Sequence, residues 1–183
     1  MNRFLNNYFP AMIWPMHHFL VKSWELNFLT LLLLARLLLI AGCFLIREMP
    51  KATAPLYQRL LSRFGTFVPV IMIWEPVNSP WMIYGQILSI IGIVAFIFTI
   101  LELGKSFGLA PALRTKVDSG IYRWINNPMY VSHIIFELGI LISCPSIWNL
   151  AIVAISTIFF VFRAKWEKDL ILARGNQNSA LFA

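Results

Sequence analysis

Three stretches of roughly twenty residues, Leu26–Ile46, Trp81–Leu103 and Ser146–Lys165, consist almost entirely of apolar side chains. About twenty helical residues cross the hydrocarbon core of a bilayer. Lipid offers a backbone no hydrogen-bond partner, so such runs must satisfy their own amides as helices. These runs therefore predict an all-α, polytopic membrane protein in one domain. The composition agrees: 59% of the 183 residues are hydrophobic and only 13% are charged. Soluble domains are nearer 45–50% apolar. The net charge of +7 is better explained by basic residues retained on one membrane face than by nucleic acid.

Two further segments complete a reading of five spans. Leu56–Trp74 is the weakest, with Arg59 and Arg63 on its first turns and Pro69 interrupting it, which suits a tilted or partly interfacial helix. Met129–Ser143 is short and pairs with Ser146–Lys165 as a helical hairpin around Cys144 and Pro145. Gly85 and Gly92, seven residues apart in the Trp81–Leu103 helix, offer a face for close packing. Residues 1–25 are rich in aromatics and broken by Pro10 and Pro15, as in an interfacial segment. His17 and His18 are adjacent and point different ways on a helix, so no metal site is expected. Cys43 and Cys144 fall near opposite ends of their segments, which argues against a disulfide.

Charged side chains deep in apolar helices usually pair or face a cavity. Arg36 and Glu137 lie at similar depths, so the sequence predicts them as near neighbours, with His133 one turn before Glu137 sharing the cluster.

The polar island Ser119–Tyr130 separates the third span from the hairpin. Gly120 allows backbone angles closed to other residues. Pro128 biases Asn127 toward an extended shape and suits a first helical turn. Tyr122, Trp124 and Tyr130 are amphipathic aromatics of the kind that sit at membrane interfaces. From these residues alone the island reads as an anchored connector. Gly120-x-Tyr122 followed by Asn126-Asn127-Pro128-Met129-Tyr130 also resembles the signature of the isoprenylcysteine carboxyl methyltransferases and their relatives, the phospholipid methyltransferases. Leu103-Gly104-Lys105-Ser106-Phe107 resembles the family's Leu-Gly-Arg-x-Phe lead-in, and Arg163 and Glu167 match its Arg-x-x-x-Glu on the last helix. The resemblance covers a methyltransferase-like core at residues 101–175 of the single 1–183 domain.

This resemblance implies methyl transfer from S-adenosyl-L-methionine to a lipid or lipid-modified acceptor, either an isoprenylcysteine-like carboxylate or a phospholipid amine. It implies a cofactor site built from Arg114, Thr115, Lys116, Val117, Tyr122, Asn127, Pro128, Met129, Tyr130 and Glu167, with Arg163 as the catalytic, acceptor-facing residue. The residue chemistry is compatible. Glu167 suits an ammonium or ribose hydroxyls, a helix N-terminus at Pro128 suits a carboxylate, and the tyrosines can wall the adenine and attract a sulfonium. By spacing alone, Arg163 and Glu167 are an i, i+4 pair that equally describes a helix-end salt bridge.

Three departures stand out. Asn126 occupies the family's arginine position, Lys168 replaces the second acid of its Glu-Glu pair, and the aromatic tail is reduced to Arg174-Gly175-Asn176. A non-catalytic membrane protein that keeps the scaffold, and a nicotinamide-dependent membrane reductase, are the alternatives. No glycine-rich dinucleotide loop supports the latter.

Basic residues cluster after the first, third and fifth spans, at 47–63, 105–123 and 163–174. This pattern predicts an integral membrane protein, of a bacterial inner membrane or the endoplasmic reticulum, with its N-terminus outside and its C-terminus cytoplasmic. A reporter fused to the C-terminus should be active only in the cytoplasm; activity confined to the opposite side contradicts this topology.

Overall fold

The computed structural model describes residues 28–46, 48–73, 78–115 and 117–180. The interfacial segment 1–25 with His17 and His18, and Lys116 of the expected cofactor set, lie outside them. The order is α1 (Phe28–Ile46), β1 (Ala52–Thr53), α2 (Leu56–Phe67), α3 (Met82–Leu103), β2 (Ala112–Leu113), α4 (Pro128–Ser143) and α5 (Ile147–Ala180). Short 3₁₀ turns occupy Val68–Ile71, Gly104–Ser106 and Gly120–Arg123.

Among the described residues two helices are long and apolar enough to cross a membrane, Met82–Ser106 and Ile147–Ala173. Helix α4 has 16 residues, about 24 Å at 1.5 Å per residue, and is the short arm expected of the hairpin. Helix α5 does not stop at Lys165 but continues unbroken to Ala180. In the segment expected as the second span, α2 ends at Phe67 and a 3₁₀ turn containing Pro69 follows. Pro69 has no amide hydrogen with which to continue the α-helix. Along α2 the large apolar side chains Leu56, Tyr57, Leu60 and Phe64 are exposed, whereas Ser62 and Gly65 are buried. That is the reverse of a helix facing water and suits an apolar surround.

Helices α3 and α4 meet through small residues. A Cβ built on Gly85 would strike Ser143 and the Gly139 carbonyl, one on Gly92 would strike the Phe136 backbone, and one on Gly139 would strike Ser89. The expected Gly85–Gly92 face therefore packs against α4. Gly65 of α2 makes a similar approach to Phe159 of α5. The buried core around these contacts includes Val68, Met72, Ile93, Phe136, Ile140, Ile152 and Val153. A second apolar cluster, containing Phe96, Ile100, Phe107, Met129, Tyr130 and Phe160, lies around the α4 N-terminus.

The chain alternates between two ends of this bundle. At one end, β1 pairs antiparallel with β2, Ala52 opposite Leu113 and Thr53 opposite Ala112. Backbone bonds from Lys51 to Leu113 (2.9 Å) and from Ala54 to Pro111 (3.2 Å) extend the pairing. This ladder ties the connector after α1 to the connector after α3. At the other end, Asn149 Nδ2 donates to the carbonyls of Ile73 (3.0 Å) and Cys144 (2.9 Å), and its Oδ1 accepts the Ile73 amide at 2.8 Å. Cys43 and Cys144 are buried, and no disulfide joins them.

Arg36 and Glu137 belong to one buried cluster. Arg36 Nη2 lies 2.8 Å from His133 Nε2 and its guanidinium stands 4.5 Å from the Phe96 ring centroid. Glu137, one turn beyond His133 on α4, accepts a hydrogen bond from Ser156 Oγ. A guanidinium only donates, so the facing His133 nitrogen is the acceptor of a neutral imidazole.

Overfilling the α3–α4 seam should be costly. Gly92→Leu is expected to destabilise by at least about 2 kcal/mol, since extra methylenes in a packed contact typically cost 1–3 kcal/mol. Gly42→Ala, with nothing within 4 Å of the added carbon, should be neutral or slightly stabilising. Thermal unfolding in mild detergent measures both; equal effects contradict the packing.

Candidate functional site

The site grows from a turn and a long helix that meet at the β-ladder end of the bundle. Gly120 has φ +52°, and its missing Cβ leaves room for the Glu102 carboxylate. Glu102 accepts the Ile121 amide at 3.0 and 3.3 Å through its two oxygens. An acid at the end of α3 thus fixes the glycine turn. The turn carries Tyr122 inward, where its hydroxyl donates to the Thr99 carbonyl at 3.4 Å. Burial, and the nearby Glu102 and Glu167 charges, push the Tyr122 phenol above its ordinary range. Trp124 and Asn126 remain exposed.

Asn127 stands just before α4 with φ −137° and ψ 63°, and its carbonyl accepts the Tyr130 amide at 3.1 Å. Pro128 occupies the first turn, where its missing donor costs no helical bond. Pro128, Met129 and Tyr130 are all buried. Tyr130 stacks on Phe160 of α5, with ring centroids 5.4 Å apart and planes 5° apart.

From α5, Arg163 and Glu167 reach the same place. Tyr130 donates from its hydroxyl to Glu167 Oε2 at 2.9 Å. Arg163 Nε donates to Glu167 Oε1 at 3.3 Å. The Arg163 guanidinium also lies over the Tyr130 ring, 5.0 Å from its centroid. Although it is only 2% exposed, its charge is well served: Nη2 donates to the Gly108 carbonyl at 2.6 Å and Nη1 to Thr66 Oγ1 at 3.4 Å. The pair is therefore more than an exposed helix-end bridge, because one partner is buried and joins three other elements.

The structure brings Tyr122, Tyr130, Arg163 and Glu167 together, with Asn127, Pro128 and Met129 in the turn below them. Arg114 adjoins them through Gly108, whose missing Cβ leaves space for the Arg114 guanidinium. Thr115 faces elsewhere: its hydroxyl donates to Glu48 at 3.0 Å and its carbonyl accepts from Ser106 at 2.8 Å. Val117 is half-buried and Lys168 is exposed. Sequence reasoning missed Glu102, Thr66 and Gly108. Only Glu102 left a signal, as a lone acid at the end of an apolar helix before a glycine turn.

An ionised carboxylate has about four acceptor positions. Glu167 uses one on each oxygen within the protein, and its side chain is 26% exposed. It retains acceptor capacity toward solvent, which fits an ammonium or a pair of ribose hydroxyls. The adjoining aromatic rings fit a planar base or a sulfonium.

The phospholipid methyltransferase family model matches residues 79–173, just over half of the chain, from before α3 to within α5. The chain has no match among curated proteins or among solved structures. The matched segment contains every described residue of the site except Thr66, and on that match the chain belongs to the phospholipid methyltransferase family.

The Gly120 turn generates a direct test. Gly104 also has positive φ, +46°, but has nothing within 4 Å of an added carbon. With ψ −120° Gly104 also lies outside the left-handed helical region, so Gly104→Ala should cost about 1–3 kcal/mol from backbone strain alone. Gly120→Ala adds a clash with Glu102 and should cost more, and Glu102→Ala should recover part of that excess. Stability measured on the three variants checks it; no recovery in the double variant contradicts the Glu102 contact.

Proposed function

We propose that this member of the phospholipid methyltransferase family transfers a methyl group from S-adenosyl-L-methionine to a lipid or lipid-modified acceptor at the cytoplasmic membrane face. The observation that carries the reading is the convergence of Tyr130 and Arg163, from two helices within the matched segment, on the partly buried Glu167 carboxylate. Five spans with the C-terminus inside are the topology that goes with it. The alternation of helix ends and the pairing of the two basic connectors through β1 and β2 support it.

S-adenosylmethionine supplies an electrophilic methyl on a sulfonium. The chain's own work is positioning, because in-line displacement needs the acceptor aligned at roughly 3–3.5 Å. Glu167 holds the ammonium or ribose hydroxyls of the cofactor. Tyr130 and Arg163 fix the orientation of that carboxylate from opposite oxygens. Tyr122, Met129 and the Phe160-backed Tyr130 ring would wall the apolar parts of the cofactor, and Arg114, across Gly108 from Arg163, would meet its carboxylate. Arg163 has no open guanidinium surface in this arrangement, so the acceptor-facing role goes through Nη1, whose 3.4 Å bond to Thr66 is its longest and would be exchanged for the acceptor. A site at the membrane face lets the acceptor arrive from the bilayer and the soluble cofactor from water.

Glu167→Gln keeps the shape and removes the charge. Equilibrium binding of labelled S-adenosylmethionine to purified protein should weaken at least about tenfold, since charged hydrogen bonds contribute about 1.5–3 kcal/mol. Lys168→Ala, at an exposed position, should change binding less than about twofold. Unchanged binding in Glu167→Gln sinks the site assignment, and no binding by the parent favours a non-catalytic scaffold.

A further inference from the structure

Arg163 takes acceptors from α5, from the connector after α3 and from α2, and the α2 contribution differs in kind. Thr66 lies outside the 79–173 segment that the family model matches, so the family match does not carry its role. A threonine hydroxyl has one proton and two lone pairs. Thr66 gives its proton to the Ser62 carbonyl at 2.9 Å, so toward Arg163 it acts only as an acceptor. Ser62, one turn earlier, likewise donates to the Gln58 carbonyl at 2.7 Å. The two hydroxyls form a polar stripe on the side of α2 that meets α5. The helices are held together there by Gly65 against Phe159 and by the Phe64 and Phe159 rings, edge to face with centroids 5.6 Å apart. The backbone of α2 thus fixes Thr66 level with Arg163. Of the acceptors on the two terminal nitrogens, Gly108 is buried and bonded at 2.6 Å, whereas Thr66 is half-buried and bonded at 3.4 Å. Ordinary N–H···O bonds end near ~3.2 Å, so the Thr66 bond is the weaker one, on the less enclosed side.

We propose that Thr66 is a built-in competitor of the acceptor: it holds Arg163 Nη1 in the empty site, yields it to an oxygen of the acceptor, and so keeps acceptor affinity below what the same site would reach without it. That the incoming oxygen belongs to a methyl acceptor rests on the methyltransferase reading; the competition at Nη1 does not. The two partners are unequal. After the exchange Thr66 keeps its bond to Ser62 and gives up one accepted bond. A buried guanidinium nitrogen left without an acceptor loses more, because an unmet charged donor carries the larger desolvation cost. An anionic oxygen also makes a stronger bond to a guanidinium than a hydroxyl does. Removing the Thr66 hydroxyl therefore destabilises the empty site, and an acceptor oxygen relieves that cost when it binds. Stability should fall and acceptor affinity should rise together. A residue that only braces α2 against α5 would lower stability and leave acceptor affinity unchanged or weaker.

The test uses the full chain purified in a neutral detergent. Two probes that carry an anionic oxygen on an apolar tail, S-farnesylcysteine and short-chain phosphatidylethanolamine, are each titrated into the parent, Thr66→Val, Thr66→Ser and Ser62→Ala. Thermal unfolding and labelled S-adenosylmethionine binding are measured on the same samples. Thr66→Val keeps the shape and removes the hydroxyl. It should unfold at a lower temperature than the parent, yet bind a probe at least about fivefold tighter, and saturating probe should narrow the difference in unfolding temperature. Thr66→Ser keeps an acceptor for Nη1 and should follow the parent. Ser62→Ala removes a buried hydroxyl that bonds Gln58 rather than Arg163, so it should lower stability without tightening the probe. Thr66→Ala replaces Thr66→Val if that variant does not fold. Equal or weaker probe binding by Thr66→Val overturns the proposal, as does equal tightening by Ser62→Ala or a failure of both probes to bind parent and variant alike. Tightening specific to Thr66→Val in a protein that binds no S-adenosylmethionine keeps the competition at Nη1 and removes the methyltransferase reading.

Discussion

A guanidinium almost wholly withdrawn from solvent must be met by acceptors, or the element that carries it will not pack. Arg163 is that group here, and meeting its needs draws four parts of the chain to one point. Glu167 comes from its own helix, the Gly108 carbonyl from the connector after α3, Thr66 from α2, and the Tyr130 ring from the start of α4. Leaving a buried donor unmet costs about 1–3 kcal/mol, more for a charged group, so the acceptors around Arg163 specify the arrangement once it forms. The same contacts leave the Glu167 carboxylate oriented and partly open, as a cofactor-binding acid requires.

Tyr130 joins this point to the bundle interior. On α4, Tyr130, His133 and Glu137 follow one another at helical spacing. Phe160 packs against both Tyr130 and His133, and Arg36 reaches His133 from α1. A polar row therefore runs inward from Glu167 to Glu137 between apolar helices. The small residues of the α3–α4 seam hold α4 at the depth this row needs, because Gly85 and Gly92 let the two backbones approach closely.

Helix type and the small-residue face were legible in the sequence, because apolar length and glycine spacing are local signals. The turn at Gly120 and the helix start at Pro128 were legible for the same reason, and the Arg36–His133–Glu137 cluster followed from the cost of charge in an apolar helix. What could not be read is non-local. The β1–β2 ladder pairs two residues with two others across the whole of α2 and α3, and nothing in Ala52–Thr53 announces it. Thr66 and Gly108 serve Arg163 through a hydroxyl and a carbonyl, groups that every segment offers. Arg163 and Glu167 were visible as a pair, but their burial was not: spacing is the same for a solvated bridge and for one closed over by Tyr130. Thr115 is a further case of non-local pairing: its hydroxyl turns toward Glu48, a contact that nothing in the local sequence announces.

The central claim is that one site, bounded by the 120–130 segment and the middle of α5, holds the cofactor. Ultraviolet cross-linking of methyl-labelled S-adenosylmethionine to the purified protein, followed by mapping of the labelled peptides, tests it directly. The account places the label within residues 120–130 or 160–170, and excess unlabelled cofactor should suppress it. Competable label confined to α1 or to the outer face of α2 would contradict it.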